Sequence, residues 1–388
     1  MRPCACRSTC PSEVSLCPRT GAGPVHYVSI GGYKMRKHFH QSVFMILIGA
    51  IAVLCLAVPG WSADKFELKF ACEYMDRHPT SINAFLPWIK KMGELSQGRL
   101  QIQFYNPNAV CPSKETYSST VAGAVDIGAS GTIWNPGKFN LSEITELPFL
   151  FNGAEAGSLT MWELYKRFPE WREESREVQM LWQWTSALFQ LHTVKKPVRT
   201  LEDFKGLKII SWTAPMNNMI RLLGANAVDG KPTDTYLALE RGMADGVICP
   251  LAPMRSFKIT DAAKHHTIID LSASGFWAGM NQAKWNSLPP DLQKIIEENV
   301  GDKMAQLSGR TLDEGAIQDS KWMKEQKHSF YVLSPAEKEK WKEKLKPVTE
   351  EWLKKMEQKG YKNVREIHEA TVSMGKEYSA KTKGGYAE

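Results

Sequence analysis

Histidine, glutamate and cysteine are the residues in this chain whose spacing could make chemistry, and no arrangement of them completes a reactive set. His368-Glu369 opens like a zinc-protease helix, but Val372 stands four positions beyond the first histidine, where a second ligand belongs. His265 and His266 are adjacent, which places them poorly for one shared metal on either a helix or a strand. The eight cysteines include no Cys-x-x-Cys pair. The chain has no GxGxxG, GxxxxGK[ST] or GxSxG stretch. A cleft enzyme would need a titratable pair, and Glu73 with Cys249 is the one available. The sequence therefore predicts no catalytic residue, no metal ligand and no cofactor.

The elements that would position such residues follow a repeating rhythm. Alternation in Phe66–Phe70 predicts a strand, Ser81–Leu95 a helix ending near Gly98, and Leu100–Tyr105 a second strand. The rhythm recurs at Leu207–Ile210, Met216–Leu223 and Gly224–Val228. Strand, helix and strand in that order imply a parallel sheet under covering helices. Two such stretches predict two α/β lobes rather than one large sheet. Pro290–Met304 and Ala336–Lys359 read as amphipathic helices rich in Lys and Glu at i, i+4. The Lys338–Lys346 run reads as a solvated helix face.

The N-terminus carries the longest apolar run, Val43–Val58, preceded by Arg36 and Lys37 and followed by Pro59-Gly60-Trp61-Ser62-Ala63. This is the pattern of a secretory signal at 35–62, with cleavage after Ser62 preferred. It predicts a periplasmic protein. Residues 1–34, with four cysteines and no periodicity, read as an extension ahead of a start at Met35. Of 49 Lys/Arg and 42 Asp/Glu, six and one precede residue 64, leaving 43 against 41. The basicity belongs largely to the export segment, so no nucleic-acid partner is expected. Cys72, Cys111 and Cys249 remain, and the sequence leaves open whether any two of them bridge.

Five fragments then carry a resemblance: Val121-Ala122-Gly123-Ala124-Val125-Asp126-Ile127-Gly128, Glu146-Leu147-Pro148-Phe149-Leu150-Phe151, Asp203-Phe204-Lys205-Gly206-Leu207-Lys208-Ile209, Thr235-Tyr236-Leu237-Ala238-Leu239-Glu240-Arg241-Gly242 with Asp245-Gly246, and Leu288-Pro289-Pro290-Asp291-Leu292-Gln293. In order and spacing over roughly 64–350 they resemble the solute receptors of tripartite ATP-independent periplasmic (TRAP) transporters, the DctP-type family. The resemblance implies an α/β, two-lobe periplasmic solute-binding protein fold with a ligand cleft between lobes and long crossing helices. Lobe I is expected at 63–187 plus 276–315, and lobe II with the C-terminal helices at 188–275 plus 316–388. The implied function is capture of a small organic ligand and its delivery to the membrane permease subunits of a TRAP transporter. A ligand-presenting sensory receptor and a secreted enzyme on the same fold are the alternatives.

The same resemblance implies that Glu73, Trp134, Gln190, Ile210, Trp212 and Cys249 face or flank the cleft. The family usually has an arginine where this chain has Ile210, and its guanidinium fork clamps a ligand carboxylate. Ile210 cannot do this, and an unpaired buried anion costs several kcal/mol. The expected ligand is therefore aromatic, neutral or cationic rather than a simple dicarboxylate. Arg77 and Arg255 are the alternatives: either pairs with Glu73, or replaces the missing clamp from another direction.

Overall fold

The structure is a computed structural model that describes residues 64–386; the expected signal segment and the extension before it lie outside the described residues. Among the described residues eleven strands form two sheets. The first is ordered β2-β1-β3-β10-β4, from Leu100–Tyr105, Phe66–Cys72, Ile127–Gly131, Gly275–Asn281 and Val178–Thr185. The second is ordered β11-β9-β5-β8-β6-β7, from Ser329–Val332, His265–Ile268, Gln190–Thr193, Gly246–Cys249, Lys208–Ser211 and Asn226–Asp229. This is the mixed α/β, two-lobe architecture that the sequence predicts.

Local signals account for most element positions. β1 and β2 run parallel, from Phe66 opposite Leu100 to Ala71 opposite Tyr105. The helix between them opens with a π turn at Ser81–Phe85 and continues as Leu86–Leu95, with Pro87 in its first turn. Thr200 and Asp203 cap the Leu201–Phe204 turn reciprocally, which sets the entry to β6. Gly123, Gly206 and Gly242 all adopt positive φ at turns, where a side chain would be strained. The helix expected across Pro290–Met304 is instead two, Pro290–Glu297 and Asp302–Glu325, because Gly301 between them takes φ 62°.

Each sheet has its own core. Phe70, Phe85, Trp88, Trp182 and Trp184 fill the first, and Leu191, Phe204, Ile209, Ile248 and Trp341 fill the second. Full burial of such side chains stabilises by about 2–3 kcal/mol each. Two 24-residue helices each span two clusters. Asp302–Glu325 contributes Met304 and Leu312 to the first core, and Ala316 and Met323 to a cluster around β8. Pro335–Gln358 contributes Trp341 and Leu345 to the second core, and Trp352, Leu353 and Met356 to a helical layer with Trp171 and Ile367.

Candidate functional site

Strand direction decides where a ligand can lie. β5 runs antiparallel to β8 and β9, and β10 antiparallel to β3 and β4. The segments 186–189 and 269–274, which pass between the sheets, therefore both join the edge where the parallel strands end. They are bonded to each other: Ser186 N donates to Ser274 O at 2.8 Å, Phe189 N to Ser272 O at 2.9 Å and Leu271 N to Phe189 O at 3.1 Å. The carboxyl ends of parallel strands are where open α/β sheets take ligands.

On the first sheet this edge is built around Glu73, which directly follows β1. Its Oε2 accepts from Ser130 Oγ at 2.8 Å, Gly131 N at 2.5 Å and Trp134 Nε1 at 2.9 Å. Burial pushes the Glu73 carboxyl up from its ordinary value, against the pull of those three donors. Beside it the Tyr74 and His78 rings stack at 4.1 Å, Tyr74 lies 5.5 Å from Phe276, and Phe276 stacks on Trp184 at 5.3 Å. Thr80 N donates to His78 Nδ1 at 3.2 Å. Burial lowers the His78 imidazole to about 4, so at neutral pH it is an uncharged aromatic face. Trp134 is 47% exposed, unlike the tryptophans of the cores.

On the second sheet Gln190 and Cys249 stand opposite each other in register. The Gln190 amide is committed to the crossing segment: its Oε1 accepts from Ile269 N (2.7 Å) and Asp270 N (2.9 Å), and its Nε2 donates to Asp270 Oδ1 (2.8 Å). The Cys249 thiol is buried, and burial pushes it up, so it holds its proton. Ile210 is buried in the cluster with Leu239, Val247 and Cys249, and a Cβ on Gly230 would meet its Cγ2 at 2.5 Å. Trp212, just past β6, is half-buried and donates its indole N–H to Thr235 Oγ1 at 3.1 Å. Of the two arginines, Arg77 is exposed, while Arg255 pairs with Asp319 at 3.1 Å and lies over Trp322 at 4.3 Å. Cys72, Cys111 and Cys249 are free thiols.

Known proteins share this two-lobe frame. Residues 70–356 match the family described as bacterial extracellular solute-binding protein, family 7. The chain belongs to that family. The receptor is 24% identical over 334 residues to the C4-dicarboxylate-binding periplasmic protein DctP of Rhodobacter capsulatus, covering 84% of this chain and 97% of the relative. It is also 27% identical to a TRAP solute-binding protein from Rhodoferax ferrireducens solved with copurified benzoate. That match covers 82% of this chain and 99% of the other, with a TM-score of 0.74. A marine-metagenome TRAP solute-binding protein, solved with 3-hydroxybenzoate, shares its fold at 24% identity and a TM-score of 0.75, covering 81% and 99%. No helix among the described residues of the receptor is long and apolar enough to cross a membrane.

Sequence reasoning missed several residues that shape this edge of the receptor. Phe149, in the Glu146–Phe151 fragment, takes φ 63° and donates its N–H to Leu271 O at 2.7 Å. Asp270 takes φ 51° in the crossing segment and pairs with Lys338 at 3.4 Å, and the Lys338 ammonium lies 5.5 Å over the Phe149 ring. Lys338 thus reaches back from the long C-terminal helix to the crossing segment, although its charge run reads as solvated. The Glu146–Phe151 motif is one signal that pointed here, since an apolar Leu-Pro-Phe-Leu-Phe turn needs a buried partner.

Proposed function

We propose that this family 7 receptor closes its lobes on an aromatic compound and hands it to the permease subunits of a TRAP transporter. The observation that carries the reading is the wall of Tyr74, His78 and Phe276, with Glu73 and Trp134 at its end. Stacking surfaces recognise a ring, and Glu73 Oε1 has capacity for a donor on it, because the three protein donors share Oε2. The benzoate bound by the 27% identical relative supports an aromatic ligand. In this reading Glu73, Trp134 and Trp212 touch the ligand, while Gln190, Ile210 and Cys249 shape the floor and hinge beneath it. Arg77, exposed on the loop after Glu73, meets any charged group at the rim.

The lobes of this reading are 63–187 plus 276–315 and 188–275 plus 316–388. The receptor is exported to the periplasm by residues 35–62 and binds without turnover; the buried, protonated Cys249 leaves Glu73 without a reactive partner. A thermal-shift and calorimetric panel of aromatic acids, phenols, aromatic amines, C4-dicarboxylates and sugar acids tests it. Aromatic compounds at 100 times their Kd stabilise the fold by about 2.7 kcal/mol. A response confined to dicarboxylates or sugar acids would overturn the ligand reading, and recovery of altered ligand would overturn binding without turnover.

A further inference from the structure

Three histidines from distant parts of the chain meet inside the second sheet. His192 lies on β5, His266 on β9 and His328 immediately before β11, and all three are buried. His192 Nε2 lies 3.1 Å from Cys249 O, and His192 Nδ1 lies 2.8 Å from His266 Nδ1. His266 Nε2 lies 2.9 Å from His328 Nδ1, and His328 Nε2 lies 3.2 Å from Lys264 Nζ. The line of bonds crosses from the exposed Lys264 to the strand end at Cys249, opposite Gln190.

The two ends fix every proton between them. A carbonyl only accepts, so His192 carries its proton on Nε2 and its Nδ1 must accept. His266 then donates from Nδ1 and accepts at Nε2, and His328 donates from Nδ1 and accepts at Nε2 from the Lys264 ammonium. Each neutral ring has one donor and one acceptor, so the chain is fully satisfied in one polarity. Burial lowers His192 to about 4 and also lowers His266 and His328, as that neutral state requires.

An added proton has one entrance. His328 Nε2 can take it once Lys264 swings into solvent, and no other bond is broken. Transfer of the His328 Nδ1 proton to His266 Nε2, then of the His266 Nδ1 proton to His192 Nδ1, moves the charge inward with both ring-to-ring bonds kept, and only His328 Nε2 exchanges its lysine for solvent. A second proton is blocked: with His192 and His328 both charged, His266 would have to accept at both nitrogens, which a neutral imidazole cannot do. The other groups facing the chain are Asp261, which favours the charged form of His328, and Lys264 and His265, which oppose it. His265 is bonded to Ser329 Oγ at 2.7 Å, and the Phe330 ring covers His266 at 4.6 Å, with Lys324 and Tyr386 packed on that ring.

We propose that His192, His266 and His328 form a single-proton site, loaded at His328 from the Lys264 side and ending at the Cys249 carbonyl on the cleft edge. The site stands independently of the ligand reading.

Long-range 15N–1H NMR on the full chain labelled with 15N-histidine tests it. Near pH 7.5 the expected tautomers are Nε2–H for His192 and Nδ1–H for His266 and His328. Titration from pH 7.5 down through about pH 4 to below it should give one shared uptake, seen as parallel shifts of all three rings that sum to one proton. Lys264→Met, at an exposed position that leaves the core intact, should shift that midpoint upward. Three independent full titrations, an Nε2–H tautomer at His266, or an unmoved midpoint in Lys264→Met would each overturn the proposal.

Discussion

Trp134 donates its indole N–H to Glu73 Oε2 at 2.9 Å, so the exposed ring is held in place by the carboxylate it covers. Hydrogen bonds to a charged group contribute about 1.5–3 kcal/mol. Trp134→Phe keeps an aromatic face and removes the donor. Calorimetry should show aromatic-ligand affinity falling about tenfold or more, with a smaller change in Tm, because Ser130 and Gly131 still donate to Glu73 Oε2 and the ring is only about half buried. Unchanged affinity would show that the bond from Trp134 to Glu73 does not organise the ligand site.

Gln190 pins the crossing segment. Gln190→Ala leaves the Ile269 and Asp270 N–H groups without their acceptor. Buried donors left unmade cost about 1–3 kcal/mol each. Urea unfolding should show a loss of roughly 2–4 kcal/mol, larger than the loss from Lys338→Met, whose pairing with Asp270 is partly exposed. Equal losses would mean that the amide contributes nothing special to the hinge.

Gly309 allows the helix Asp302–Glu325 to approach the helix Ala154–Arg167. A Cβ there would stand 2.5 Å from Ala154 O and 2.6 Å from Ser158 Oγ. Neither backbone can yield cheaply, because the Asp313 carboxylate also binds Ala154 N at 2.8 Å and Glu155 N at 2.9 Å. Gly309→Ala should destabilise by about 1–3 kcal/mol despite improving helix propensity. A Tm at or above that of the parent protein would show that the two helices can separate freely.

Stability above neutral pH should fall. Burial first of all raises Glu146 to about 8, and Glu174 and Asp313 to about 7. Unfolded carboxyls lose their protons near pH 4, so the native state alone holds these protons at pH 6. Their contribution is complete below about pH 4 and is lost as pH rises through the folded values, at up to about 1.4 kcal/mol per pH unit for each group. The histidines act oppositely: neutral in the native state, they cost stability as pH falls below about 6.5. Above pH 7 the histidines no longer act, so the urea midpoint should decline from pH 7 to 8.5, and Glu146→Gln should flatten that decline. A flat profile in the parent protein would show these carboxyls already ionised.

By itself the sequence determined what depends on neighbours in the chain. Period-two alternation placed β1 and β2, and five fragments in order over roughly residues 64–350 placed the chain in its family, which matches residues 70–356. These are local signals, because propensity, capping and turn chemistry act within a few residues. Glu73 and Trp134 were legible one at a time, but their bond across 61 residues was not. Gln190 read as a ligand contact, yet strand pairing turned its amide onto the crossing segment. The adjacent pair His265-His266 drew attention, while the partners that matter, His192 and His328, lie 74 and 62 residues from His266. Strand order decided all of these. A sheet sets residues about 5 Å apart across strands whatever their separation in sequence, so only the tertiary structure brought the polar groups into bonding distance.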